Sequence, residues 1–122
     1  YMSFPLVTNQ IEVSISHNLP FFDGTVDVLM KHRVSPMGWS PLGGGKLMEG
    51  DKTELFKKGS KYNATEAQLS LAWLLKHPSS IFPVIGTTKA DRIVESSKAI
   101  NISLNLEDWF DMLKIAQGKE MP

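Results

Sequence analysis

The feature that most constrains this chain is an alternation of two hydrophobic periods along its 122 residues. Residues 6–15 are rich in β-branched side chains, and apolar and polar residues alternate from Ile11 to Ile15, as in a strand. Residues 21–33 then read as a helix, with Val26, Leu29 and Met30 at i, i+3 and i+4 on one apolar face. Pro36 resists helix continuation, and Met37, Gly38, Trp39 and Ser40 read as a short buried strand. A short helix is expected near residues 52–61, and Asn63 suits a left-handed turn position. Thr65 and Gln68 have capping-box spacing and open an apolar helix to about His77, stopped by Pro78. Residues 81–85 form the next strand, kept short by its Pro and Gly. The stretch from Thr88 to Asp91 can cap a helix to about Ile100, and Asn105 caps a last one ending at Gly118.

Strands alternating with helices imply βαβ crossovers and a parallel sheet, so the fold class is α/β. At 42% hydrophobic residues the chain can bury one core. Three strands nevertheless make a poor sheet alone. A parallel sheet needs cover on both faces, and here both edges stay open, so further strands are expected outside the chain. Exposed edges also allow self-association. The start, Tyr1-Met2-Ser3-Phe4, is neither a signal peptide nor a start codon, as though the chain begins partway through a longer protein.

Composition excludes several functions. Thirteen basic and thirteen acidic residues balance, giving no electrostatic footprint for nucleic acid or an anionic membrane. No apolar run approaches the roughly 20 residues that span a bilayer. The absence of cysteine rules out disulfides and thiolate metal sites and fits a cytoplasmic protein. His17, His32 and His77 have no clustered partners in the sequence and read as surface residues; no metal site is expected.

Two loops could carry chemistry. Ser40-Pro41-Leu42-Gly43-Gly44-Gly45-Lys46 follows a strand, and glycines there let backbone N–H groups approach a phosphate. Neither the P-loop nor the GxGxxG pattern is present, so an ordinary flexible loop is an equal reading. Gly86-Thr87-Thr88-Lys89-Ala90-Asp91-Arg92 joins a strand to a helix start, where free N–H groups, hydroxyls and two cations suit a phosphate. A plain capping box with solvated charges is the alternative. The charges of Lys57, Lys58 and Lys61 read as a solvated face, and Trp73, Trp109, Phe110 and Leu113 as helix packing.

Four linked segments carry a resemblance. Asn9-Gln10-Ile11-Glu12, Gly38-Trp39-Ser40-Pro41-Leu42-Gly43-Gly44-Gly45, Ala72-Trp73-Leu74-Leu75 and Val84-Ile85-Gly86-Thr87-Thr88-Lys89-Ala90-Asp91-Arg92-Ile93 are similar, in order and spacing, to the aldo-keto reductases. These are NADPH-dependent (β/α)8 TIM barrels, and the likeness covers nearly the whole chain. It implies the last three βα units and C-terminal helix of a barrel, residues 1–122 forming the cofactor-binding side. The form of the glycine segment resembles a bacterial branch of oxidoreductases.

The resemblance also implies roles. Gln10 would bond the nicotinamide carboxamide, with Asn9 beside it. Trp39 would stack on the nicotinamide. Ser40, Leu42 and Gly43 would line the pyrophosphate, with Gly44 and Gly45 part of the loop that covers it. Gly86, Thr87, Thr88 and Lys89 would surround the adenosine 2′-phosphate of NADP, with Arg92 over the adenine or paired to that phosphate. Glu95 and Ser96 match a Glu-Asn pair near the adenine, and Ser96 departs from the Asn. The implied activity is reduction of small aldehydes or ketones by hydride transfer from NADPH. The family's Tyr, Lys, His and Asp are expected on strands before this chain begins, so no catalytic residue is assigned and the chain alone should be inactive. Two further readings are an NADP-binding module without catalysis, as in potassium-channel beta subunits, and a small α/β domain that binds a phosphate ligand.

Overall fold

The computed structural model describes residues 8–15, 17–39, 41–42 and 53–117; for residues 53–56 and 117 the backbone alone is described. Three strands, β1 (Thr8–Glu12), β2 (Ser35–Trp39) and β3 (Phe82–Pro83), form one parallel sheet in the order β1-β2-β3. Five helices accompany them: α1 (Thr25–Lys31), α2 (Thr53–Tyr62), α3 (Glu66–Lys76), α4 (Ala90–Ser97) and α5 (Leu106–Gln117). The α/β class and parallel pairing expected from the alternation are present.

Local chemistry accounts for several boundaries. Thr65 Oγ1 accepts from the Gln68 N–H (3.1 Å) and Gln68 Oε1 accepts from the Thr65 N–H (3.0 Å), the reciprocal pair that opens α3. Asn63 takes φ 54°, as expected for the turn between α2 and α3. Asn105 Oδ1 accepts from the Asp108 N–H (2.8 Å) and starts α5. Other expectations shrink. β3 spans two residues, not five, although Val84 still donates to the Gly38 carbonyl (2.9 Å). α1 is preceded by a 3-10 turn at Leu19–Phe21, where Pro20 sits buried. Val26 and Leu29 are buried as expected, but Met30 is 41% exposed.

The core lies between the sheet, α3 and α5. Val13, Ile15, Leu69, Trp73, Leu74, Ile81, Met112 and Leu113 are sealed there. Trp73 and Trp109 stack with centroids 4.5 Å apart and planes 5° off parallel. Each indole donates to the other's backbone carbonyl, at 2.9 and 2.8 Å. Phe21 packs edge-on against Trp73. Phe110 is a helix-packing expectation that fails in part, for it meets Trp109 edge-on but stays 46% exposed. His77 is not a plain surface residue. It stacks on Phe21 at 4.4 Å, bonds Ser79, and burial pushes its pKa down.

Lys58 of α2 also departs from expectation. Asp108, 3% exposed on α5, accepts from Lys58 Nζ (2.7 Å), Lys61 Nζ (2.7 Å) and the Tyr62 hydroxyl. Lys58 also reaches Asp111 (3.1 Å). Lys58 and Lys61 therefore clamp α2 to α5; Lys58 departs from the expected solvated face, while Lys57 and Lys61 remain exposed. Tyr62 closes the clamp, its oxygen accepting from the Asn105 N–H (3.3 Å). The Lys58 ammonium, with Lys61 and Tyr62, holds the Asp108 carboxyl far below the usual carboxylate range.

Candidate cofactor site

Parallel pairing sets the carboxyl ends of all three strands side by side. The register aligns Gln10 with Met37 and Glu12 with Trp39, then Met37 with Phe82. Alternation along each strand places Gln10, Glu12, Met37, Trp39, Phe82 and Val84 on one face. That face is open: Trp39 is 46% exposed, Phe82 59% and Val84 41%. The opposite face, with Pro36, Gly38 and Ile81, packs on the helices.

Trp39 is held up from beneath. A Cβ on Gly38 would lie 2.7 Å from Val13 Cγ1 and 3.3 Å from Ile81 Cγ2, so the glycine is needed for strand and core to close together. Trp39 itself pays no such packing cost and presents its ring at the strand end beside Gln10's face.

Asn9 adjoins Gln10 in β1. Asn9 pairs in register with Pro36, and alternation turns its side chain to the face opposite Gln10. Asn9 thus stands next to Gln10 in β1 with the two side chains on opposite faces. Ser40, Gly43 and Gly44 lie outside the described residues. Leu42 is half-buried and packs with Ile85 and Ile102 against Leu71, Ala72 and Ala99. It thus ties the loop after β2 to the loop after β3, a packing role the expected phosphate contact did not include.

The second loop keeps its expected place after β3. Gly86, Thr88, Lys89 and Arg92 are exposed and Thr87 is half-buried. Thr87 Oγ1 accepts from the Lys89 N–H (3.2 Å), which bends the chain into α4. Lys89 is the N-cap of α4 in an extended conformation, and no side chain caps that end. Thr88 therefore does not cap the helix, while the charges of Lys89 and Arg92 are exposed as the alternative reading expected. Nothing lies within 4 Å of a Cβ built on Gly86, and its φ is not in the left-handed region. The fold itself makes no demand for glycine there.

One feature was missed in the sequence. Gln68 Nε2 donates to the Glu95 carbonyl (2.8 Å), fastening α4 to the head of α3. Beside this bond lies a cleft of about 620 Å³ lined by Gly59, Asn63, Thr65, Ala67, Gln68 and Glu95 among others. Glu95 is thus brought to a cavity wall, while Ser96 is half-buried next to it in the chain. The link spans 27 residues, so only Gln68's second amide group hinted at it. Among the described residues no three His, Asp or Glu are placed to hold a metal, and no helix is long and apolar enough to cross a membrane.

Comparison with known proteins fits this geometry. Residues 2–117 match the model of the aldo/keto reductase family. A 6-dehydroglucose reductase of Agrobacterium fabrum is 40% identical over 98% of the chain and 42% of its own length. The oxidoreductase YdhF of Escherichia coli is 37% identical over 99% of the chain and 43% of its length. The chain thus spans less than half of the curated relatives it matches. A thermostable aldo-keto reductase solved with the inhibitor epalrestat superposes with a TM-score of 0.82 at 26% identity, over 93% of this chain and 41% of that one. An aldo-keto reductase of Klebsiella pneumoniae in complex with NADPH has a TM-score of 0.79 over 95% of this chain and 41% of its own, and its 22% identity speaks for the fold alone. By sequence match and by the fold of its three parallel strands and their helices, this chain belongs to the aldo/keto reductase family.

Proposed function

We propose that residues 1–122 are the cofactor-facing C-terminal part of a longer reductase that reduces aldehydes or ketones with NADPH. The observation that carries this reading is the open sheet face that holds Gln10 in β1 and Trp39 at the end of β2, the strand that pairs with β3 just before the loop of residues 86–92. The donor set fits a nicotinamide dinucleotide. Gln10 offers an amide to the carboxamide and Trp39 an aromatic plane to the ring. Thr87, Thr88, Lys89 and Arg92 offer hydroxyls and cations to a 2′-phosphate, and the space left by Gly86 admits it. Glu95 and the cleft beside it suit the adenine end. The Klebsiella aldo-keto reductase of the same fold was solved with NADPH, which makes NADPH the dinucleotide to try first.

When bound, the dinucleotide supplies a hydride to the carbonyl carbon. The chain's own residues bind and orient. Trp39 fixes which ring face is open and Gln10 its rotation, and such positioning removes much of the entropic barrier. Proton delivery falls to the Tyr, Lys, His and Asp expected upstream, so the chain alone does not turn over. The name of the Agrobacterium relative makes a polyhydroxylated aldehyde the first substrate to try.

The pair of cations near the 2′-phosphate predicts NADP over NAD. Titration of the whole reductase with NADPH and NADH tests this. Lys89→Ala with Arg92→Ala should weaken NADPH by about tenfold or more, the loss of charge-assisted phosphate bonds, and leave NADH unchanged. Equal affinity of the unaltered protein for both dinucleotides would contradict the assignment.

A further inference from the structure

We propose that Glu12 biases this site toward the oxidised, positively charged nicotinamide ring, an inference that rests on the cofactor reading above and adds a residue to it. Glu12 ends β1 and pairs in register with Trp39. Its side chain shares the open face with Trp39 and Gln10, and register partners on adjacent strands stand about 4.8 Å apart. Among the described residues of that face, Thr8, Gln10, Ser35, Met37, Trp39, Phe82 and Val84 carry no charge, and Glu12 does.

The carboxylate has one close neighbour, His17. Glu12 Oε1 lies 3.8 Å from His17 Nε2, with the side chains 40% and 45% exposed. His17 is fixed by a tight turn: its N–H donates to Ser14 Oγ (2.9 Å), and its carbonyl accepts from the Ser14 N–H (3.0 Å). Ser14 is fully buried. The strand end thus presents a carboxylate group beside the stacking plane.

The two forms of the dinucleotide differ only at the nicotinamide, neutral when reduced and cationic when oxidised. Every phosphate and adenine contact cancels in the ratio of their dissociation constants. A carboxylate near the ring, partly exposed to water, should tighten the oxidised form by about three- to tenfold and leave the reduced form alone. The same charge favours positive charge developing on the ring as a carbonyl is reduced.

The test is fluorescence titration of the whole reductase with NADP⁺ and with NADPH. Glu12→Gln should weaken NADP⁺ by about three- to tenfold with NADPH unchanged, and Glu12→Asp should keep the unaltered ratio. A partly exposed side chain makes misfolding no obstacle. Raising the salt concentration should also narrow the ratio in the unaltered protein, since exposed charges are screened. Equal weakening of both forms by Glu12→Gln, or a ratio that ignores salt, overturns this inference and leaves the cofactor reading standing. An unaltered reductase that binds neither form overturns both.

Discussion

Trp73 and Trp109 are sealed in the seam between α3 and α5, while Trp39, the third tryptophan, stands at the end of β2 with nearly half its surface open. The sealed pair satisfies every polar need internally, each indole N–H bonding the other's carbonyl. Trp39 has buried neighbours beneath its strand but an exposed ring. An aromatic so placed gives little to the fold, and its large apolar plane is available to something else. Under the proposed function the difference separates two jobs: the helical seam supplies stability, and the sheet's open face supplies recognition.

The separation breaks most visibly at the seam. Trp73→Ala should cost about 3–5 kcal/mol in denaturant unfolding, as expected for removal of a fully buried aromatic. Its effect on dinucleotide affinity in the whole reductase should be no larger than its effect on folded population. A selective loss of affinity with full stability would show that the seam belongs to the site.

A smaller effect is expected from pH at the α2–α5 clamp. Lys58, Lys61 and Tyr62 depress the Asp108 pKa in the folded chain. The stability this contributes is therefore present above the unfolded value of about 4 and is lost as pH falls below it. Acid unfolding followed by circular dichroism should begin at higher pH in Asp108→Asn than the clamp allows in the unaltered protein. Identical acid profiles would mean that the clamp adds nothing.

Much of this division was legible in the residues. The capping box at Thr65, the turn at Asn63 and the cap at Asn105 rest on short-range chemistry, and each formed as expected. The order of strands and helices followed from period alone. What was not legible depends on distance along the chain. Asp108 meets Lys58 and Lys61 across 50 and 47 residues, so a lysine-rich helix looked merely solvated. β3 falls to two residues because its flanks are fixed by packing and not by propensity. The likeness to a known family gave Gln10, Trp39 and the loop of residues 86–92 their proposed roles, and the register shows only that Gln10 and Trp39 share one sheet face. Strand alternation turns the adjacent Asn9 and Gln10 to opposite faces.

The central claim is that Trp39 stands exposed to receive a nicotinamide ring. It is tested most directly by measuring NADPH affinity in the whole reductase before and after Trp39→Ala, with the melting temperature recorded alongside. The account predicts about a tenfold loss of affinity, the value of one good aromatic stacking contact, with little change in melting temperature. Unchanged affinity with a large drop in melting temperature would contradict it, making Trp39 a part of the fold and not of the site.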